Sequence, residues 1–250
     1  MTQKRLIFTL VLALLMYCIP MLTLRALPWW ISASPSLTST PIASGITLSG
    51  TFGGNVFGTV SPSINYPDET KIDDIMILVI STDTISTIAG TTPVGWSLLH
   101  TIDVGTDSTG SVWWKRSTEA NPANETWTSI FSSAVSGVYQ VVSYSGCVAS
   151  GTPINASQAT EMPGSSTWTG SITTTVNNCM VIGIFTADQV SGATFTWSGS
   201  IIERADRNNA GVGFLTIGDE ITPLAGLKTM SGTPSSSDSY ARFIYALTPL

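Results

Sequence analysis

His100 is the only histidine among the 250 residues, which removes most metal and nucleophile chemistry at once. Zinc sites built on several imidazoles are excluded, as is the two-histidine HExxH helix. A Ser-His-Asp triad would have to use His100, and no Gly-x-Ser-x-Gly elbow occurs to present its serine. His100 follows Trp96-Ser-Leu-Leu on an expected strand and reads as a strand-surface residue. Neither a phosphate-cradling Gly-rich loop ending in Lys-Ser/Thr nor a dinucleotide fingerprint occurs.

Paired carboxylates are the remaining route to hydrolysis, since glycosidases work with two of them across the scissile bond. Glu203 and Asp206 are close in sequence, and Asp219-Glu220 closes an expected strand. Adjacent strand residues point to opposite faces, so Asp219 and Glu220 are not expected to cooperate. Calcium is the one ion for which turn oxygens are in place, at Asp73-Asp74 and at Asp103 and Asp107. Neither spells a defined calcium loop, and turns favour Asp for its bonding to nearby backbone. No cofactor is expected.

Aromatic residues carry the ligand-binding hint. Trp113 and Trp114 are consecutive on a strand and must face opposite sides of the sheet. One of them would leave the core side, where an indole is a platform for sugar stacking. Trp127 and Trp168, in Ser/Thr-rich surroundings, would join it. The alternative is that one indole fills the core and the other packs under a loop or at a subunit contact. Cys147 and Cys179 form either a disulfide of an oxidising compartment or two small buried apolar residues on neighbouring strands.

The elements that must position these residues are strands. Ile75 to Ile80, Trp96 to Ile102, Ser111 to Lys115, Gly137 to Ser145, Cys179 to Thr186, Ala193 to Trp197, Gly211 to Ile217 and Ala241 to Leu247 are apolar runs between turn-forming clusters. They are rich in β-branched and aromatic residues, and no stretch of the body sustains a helical period. An all-β, jelly-roll-like two-sheet antiparallel sandwich over residues 46–250 follows. An internal echo runs through it. Ile72 to Asp83 resembles Val176 to Ala187, Trp96 to His100 resembles Ser200 to Arg204, Gly110 to Trp114 resembles Gly211 to Leu215, and Val138 to Tyr144 resembles Tyr240 to Ala246. Two interleaved halves of about four strands each would build the sandwich.

A family pattern lies over the same residues. The Asp-led strand Ile77-Leu-Val-Ile-Ser-Thr82 is followed by Pro93-Val-Gly-Trp-Ser-Leu-Leu and Trp114-Lys-Arg. Further on come Val142-Ser-Tyr-Ser-Gly-Cys-Val, Pro153-Ile154 and the Thr-rich Ser171 to Val176. Together these resemble the β-sandwich modules of phage-associated and environmental surface proteins, with their PxGWxLL turn and YSGV strand end. The chain departs from that pattern at Trp113-Trp114 and at Cys147. The resemblance implies a structural or adhesive surface module and brings no catalytic residue with it.

The N-terminus sets the compartment. Lys4 and Arg5 precede an uncharged run from Leu6 to Leu24, which suits either a signal peptide, with Pro20 ending its helix, or a membrane anchor held by the positive-inside rule. One N-terminal hydrophobic helix in residues 1–31, then a Ser/Thr/Pro linker in residues 32–45, would place the sandwich outside the cytoplasm. Contact with a membrane would be through residues 6–24 alone. Charged residues make up 10% of the chain and the net charge is −6, with no basic cluster; sustained nucleic-acid binding needs one. Glycans or other surface proteins are the partners this composition suits.

Overall fold

The computed structural model describes residues 45–88, 90–165, 167–188, 193–209, 212–236 and 238–250. The expected signal or anchor helix and nearly all of the linker lie outside the described residues. The described body is all-β. Its first half holds β1 (Thr47–Thr59), β2 (Ser63–Ile64), β3 (Ile75–Thr82), β4 (Ser97–Val104), β5 (Ser108–Arg116), β6 (Glu125–Thr126) and β7 (Val135–Ser145). The second holds β8 (Ile154–Ser165), β9 (Trp168–Thr174), β10 (Cys179–Ala187), β11 (Phe195–Trp197), β12 (Ile202–Asn209), β13 (Gly213–Thr222), β14 (Gly226–Pro234) and β15 (Asp238–Leu247).

The middle strand of each half explains the layering. β3 and β10 are continuous apolar runs buried along their whole length, so both faces of each sheet must be covered. One sheet has the order β1-β7-β3-β5-β4 and the other β8-β15-β10-β13-β12. Their inner faces meet in a shared core of Ile75, Ile77, Val79, Val112, Val142 and Tyr144 against Met180, Ile182, Ile184, Ile217, Phe243 and Tyr245. The outer face of the first sheet is sealed by loops carrying Trp96, Trp127, Ile130 and Phe131 over Trp113, Leu78 and Tyr139. The second is sealed by the three-stranded sheet β11-β14-β9, which lays Trp168, Phe195 and Met230 over Val181, Phe185 and Ile244.

The sandwich of two facing antiparallel sheets is therefore present, with a cover on each outer side. Its wiring differs from the interleaved, jelly-roll-like winding expected from sequence: each five-stranded sheet is built from one half of the chain. Each echoed segment closes its pairing within its own half before the next half begins.

The echo itself is structural. Both halves lay out five strands in the same order, and irregularities recur at matching places. β1 slips against β7 at Ser49 and between Val56 and Thr59, while β8 slips against β15 at Asn155 and between Met162 and Ser165. β4 slips against β5 at Leu99, and β12 against β13 at Arg204. The turns into the middle strands place Asp73 and Asn178 at φ 68° and 59°, a conformation that Asp and Asn tolerate through local side-chain bonding. Gly58 and Gly164 hold φ 54° and 56° in the paired second slips. The alignment differs from that of the sequence echo: Ile75 matches Met180, both facing the shared core, whereas Cys179 faces the outer cover.

Candidate functional site

The repeat supplies an internal control for finding a site, because the sandwich has two equivalent seams between its sheets. At one seam β4 and β8 close together. Leu99 and Ile102 of β4 and Ala159 of β8 pack on the shared core. Glu161 accepts a bond from the Gly105 amide at 2.8 Å, and His100 Nδ1 lies 2.9 Å from the Tyr245 hydroxyl. Burial holds the His100 imidazole below its ordinary pKa.

At the other seam the equivalent strands are β12 and β1. The positions that hold Leu99, Ile102 and Ala159 at the closed seam here hold Arg204, Arg207 and Gly53. Two guanidinium groups and a bare backbone stand where three apolar side chains close the first seam. This seam is open, a groove of about 420 Å³ lined by Thr51, Asn55, Gln140, Asp206, Arg207 and Asn208 among others.

Two anchors shape the groove. Arg204 Nε donates to Asp219 at 2.8 Å, and the same carboxylate oxygen accepts from the Tyr144 hydroxyl at 2.8 Å. Asp219 is 1% exposed, so this triad ties β12 and β13 to β7 inside the core. Burial, reinforced by the Asp219 charge, raises the Tyr144 pKa well above its ordinary value. Arg207 Nε donates to Gln140 at 2.9 Å, crossing from one sheet to the other. That crossing needs Gly53: a Cβ there would lie 1.9 Å from Arg207 Nε and 2.3 Å from Gln140 Oε1. Asp206 is exposed, and partial desolvation raises its pKa, offset in part by the Phe195 amide that it accepts at 3.1 Å.

The residues proposed from sequence are placed elsewhere. Trp113 and Trp114 do face opposite sides of their sheet, but neither leaves the protein, because both sheet faces are covered. Trp113 and Trp127 are fully buried and meet edge to face at 5.1 Å under the first cover. Trp168 is fully buried under the second, edge to face with Trp197 at 5.1 Å. Trp114 is half-buried against the shared core. These indoles supply packing, and none of the three buried rings has a face to offer a sugar. Cys147 and Cys179 are unbonded and separated by a sheet, one in the shared core and the other beneath the outer cover. Burial pushes the Cys147 thiol up to about 12.

Glu203 stays near enough to Asp206 for its charge to help raise the Asp206 pKa, but Asp219 and Glu220 are separated. Asp219 turns inward, whereas Glu220 turns outward to Lys228 at 2.5 Å and Ser200 at 2.6 Å. The acids weighed for calcium serve their own turns: Asp74 accepts the Lys71 amide, Asp103 the Thr109 hydroxyl, and Asp107 the Thr106 hydroxyl. Among the described residues no three His, Cys, Asp or Glu side chains group as metal ligands.

The groove residues Gly53, Asn55, Gln140 and Arg207 were not singled out from sequence. A signal existed: with the echo in its structural register, Arg204 and Arg207 stand out against Leu99 and Ile102. The fold and groove define a duplicated, covered β-sandwich with an open inter-sheet seam. No family model, curated protein or solved structure matches the chain.

Proposed function

We propose that the chain is a non-enzymatic surface module working outside the cytoplasm, secreted or anchored by its N-terminal run, that binds glycans in the groove between β1 and β12. The open seam carries this reading. It offers hydroxyl, amide and guanidinium groups from Thr51, Asn55 and Arg207 in one recess, and a hydroxyl-rich ligand needs such convergent donors and acceptors. The N-terminal run, the low charge and the resemblance to phage-associated surface modules agree with it. Two facing antiparallel sheets give the recess rigid walls.

A glycan array probed with the full-length chain tests the reading. Asn55 is exposed on β1, so Asn55→Trp fills the groove without entering the core and abolishes binding, whereas Trp113→Phe leaves it unchanged. A folded chain that retains no glycan overturns the proposal.

One observation favours a second reading, an assembly subunit of a virion or cell-surface layer. β1 is a 13-residue edge strand without a charged residue or proline. Edge strands ordinarily carry such blocks against strand pairing; β12 has Glu203, Arg204, Asp206 and Arg207, and β8 has Glu161 and Pro163. Sedimentation that shifts with concentration, and is restored to the monomer by Thr51→Lys, would support it. A jelly-roll-type glycoside hydrolase is the weaker alternative, since among the described residues Asp206 is the one carboxylate along the groove and hydrolysis takes two.

A further inference from the structure

We infer that the groove's ligand is an acidic glycan, its carboxylate or sulfate held by Arg207; this rests on the glycan-binding reading above. The two seams share a backbone plan, and three apolar residues close the first. Placing guanidinium groups at the matching positions costs desolvation that apolar residues do not incur. Arg204 recovers that cost internally, through Asp219 and Tyr144. Arg207 does not. Its hydrogen-bond partner is the neutral Gln140, and it lies in no ion pair among the described residues.

Arg207 is also held rather than loose. Gln140 fixes its Nε, and Gly53 lets the group lie against the β1 backbone. With Nε engaged, the two terminal nitrogens remain to donate, and a guanidinium presents them as a planar fork suited to a carboxylate or sulfate. The surrounding polar side chains of β1, Thr51 and Asn55, suit the hydroxyls of the same saccharide. Among the described residues of the groove, Arg204 is neutralised by Asp219 and the Asp206 carboxylate turns to the Phe195 amide, which leaves the Arg207 charge facing the recess.

The test is calorimetric titration of the full-length chain with three probes: oligogalacturonate, a heparin-type sulfated oligosaccharide, and neutral xylohexaose. Either acidic probe binding at least tenfold tighter than the neutral one supports the inference, and the stronger of the two identifies the acid group. Arg207→Gln then loses at least tenfold in affinity for that probe, while Arg207→Lys retains part of it. Equal binding of acidic and neutral probes, or an unchanged affinity in a folded Arg207→Gln, overturns the acidic-ligand inference and leaves the glycan reading standing. If no saccharide binds the folded chain, both fall. A pull-down that yields only an acidic protein segment on Arg207 would likewise replace glycan by peptide.

Discussion

Asp219 accepts hydrogen bonds from Tyr144 and Arg204 where the two halves meet, and that pair offsets its cost of burial. Removing one partner of a buried ion pair leaves an uncompensated charge. Asp219→Ala is therefore expected to destabilise the fold by about 3–5 kcal/mol, read as a lower urea midpoint. A loss below about 1 kcal/mol, the value of an ordinary exposed pair, would show that the triad is not sealed. The residue scale is also where sequence reading was weakest. Trp113 looked like a candidate ligand contact because a single strand with alternating faces exposes half its residues, and Trp127 and Trp168 because Ser/Thr-rich surroundings read as surface. The covers over both sheets remove that premise, and a cover is made from residues distant in the chain.

The elements show the opposite balance. The runs Ile75 to Ile80 and Cys179 to Thr186 were legible as strands because a continuous β-branched stretch bounded by turn residues has few other solutions. The order of the repeated segments along the chain also came through as an echo, although the halves pair separately instead of interleaving. Its register did not, because a one-residue shift moves every side chain to the other face while leaving composition unchanged. The matched slips give a test at this scale. Gly58 and Gly164 have no neighbouring atom within 4 Å of an added Cβ, so replacement strains the backbone alone. Gly58→Ala and Gly164→Ala should each cost about 1–2 kcal/mol, the left-handed penalty for an L-residue. Equal losses in chemical denaturation are expected, and a cost confined to one site would mean that the two slips are not equivalent.

For the whole molecule, the shared core makes the halves one cooperative body. Urea unfolding followed by tryptophan fluorescence and by far-ultraviolet circular dichroism should give coincident transitions; separate midpoints would show that the halves unfold independently. Alkaline pH reports on the shared core and on the cluster beneath the first cover. Burial raises the pKa of Tyr66, Tyr144, Tyr245 and Cys147, the last to about 12, from ordinary values near 10 for tyrosine and 9 for cysteine. Each group keeps its proton in the folded state while the unfolded chain releases it. Stability from this source is complete below about pH 9 and is lost as pH rises toward 12. Unfolding free energy measured from pH 8 to 11 should fall across that window, and a flat profile would contradict the burial of these groups.

By itself the sequence determined the all-β class, the middle strands and the twofold repetition, because these follow from local chemistry: β-branched runs, alternation and turn residues. The tertiary structure alone decided that each half pairs with itself, which indoles were covered, and that the thiols stand on opposite sides of a sheet. It also decided the groove. Leu99 against Arg204, Ile102 against Arg207 and Ala159 against Gly53 are unremarkable differences along the chain. They become a closed seam and an open one only when two sheets bring β1 to β12 and β8 to β4, contacts set by packing between strands far apart in sequence.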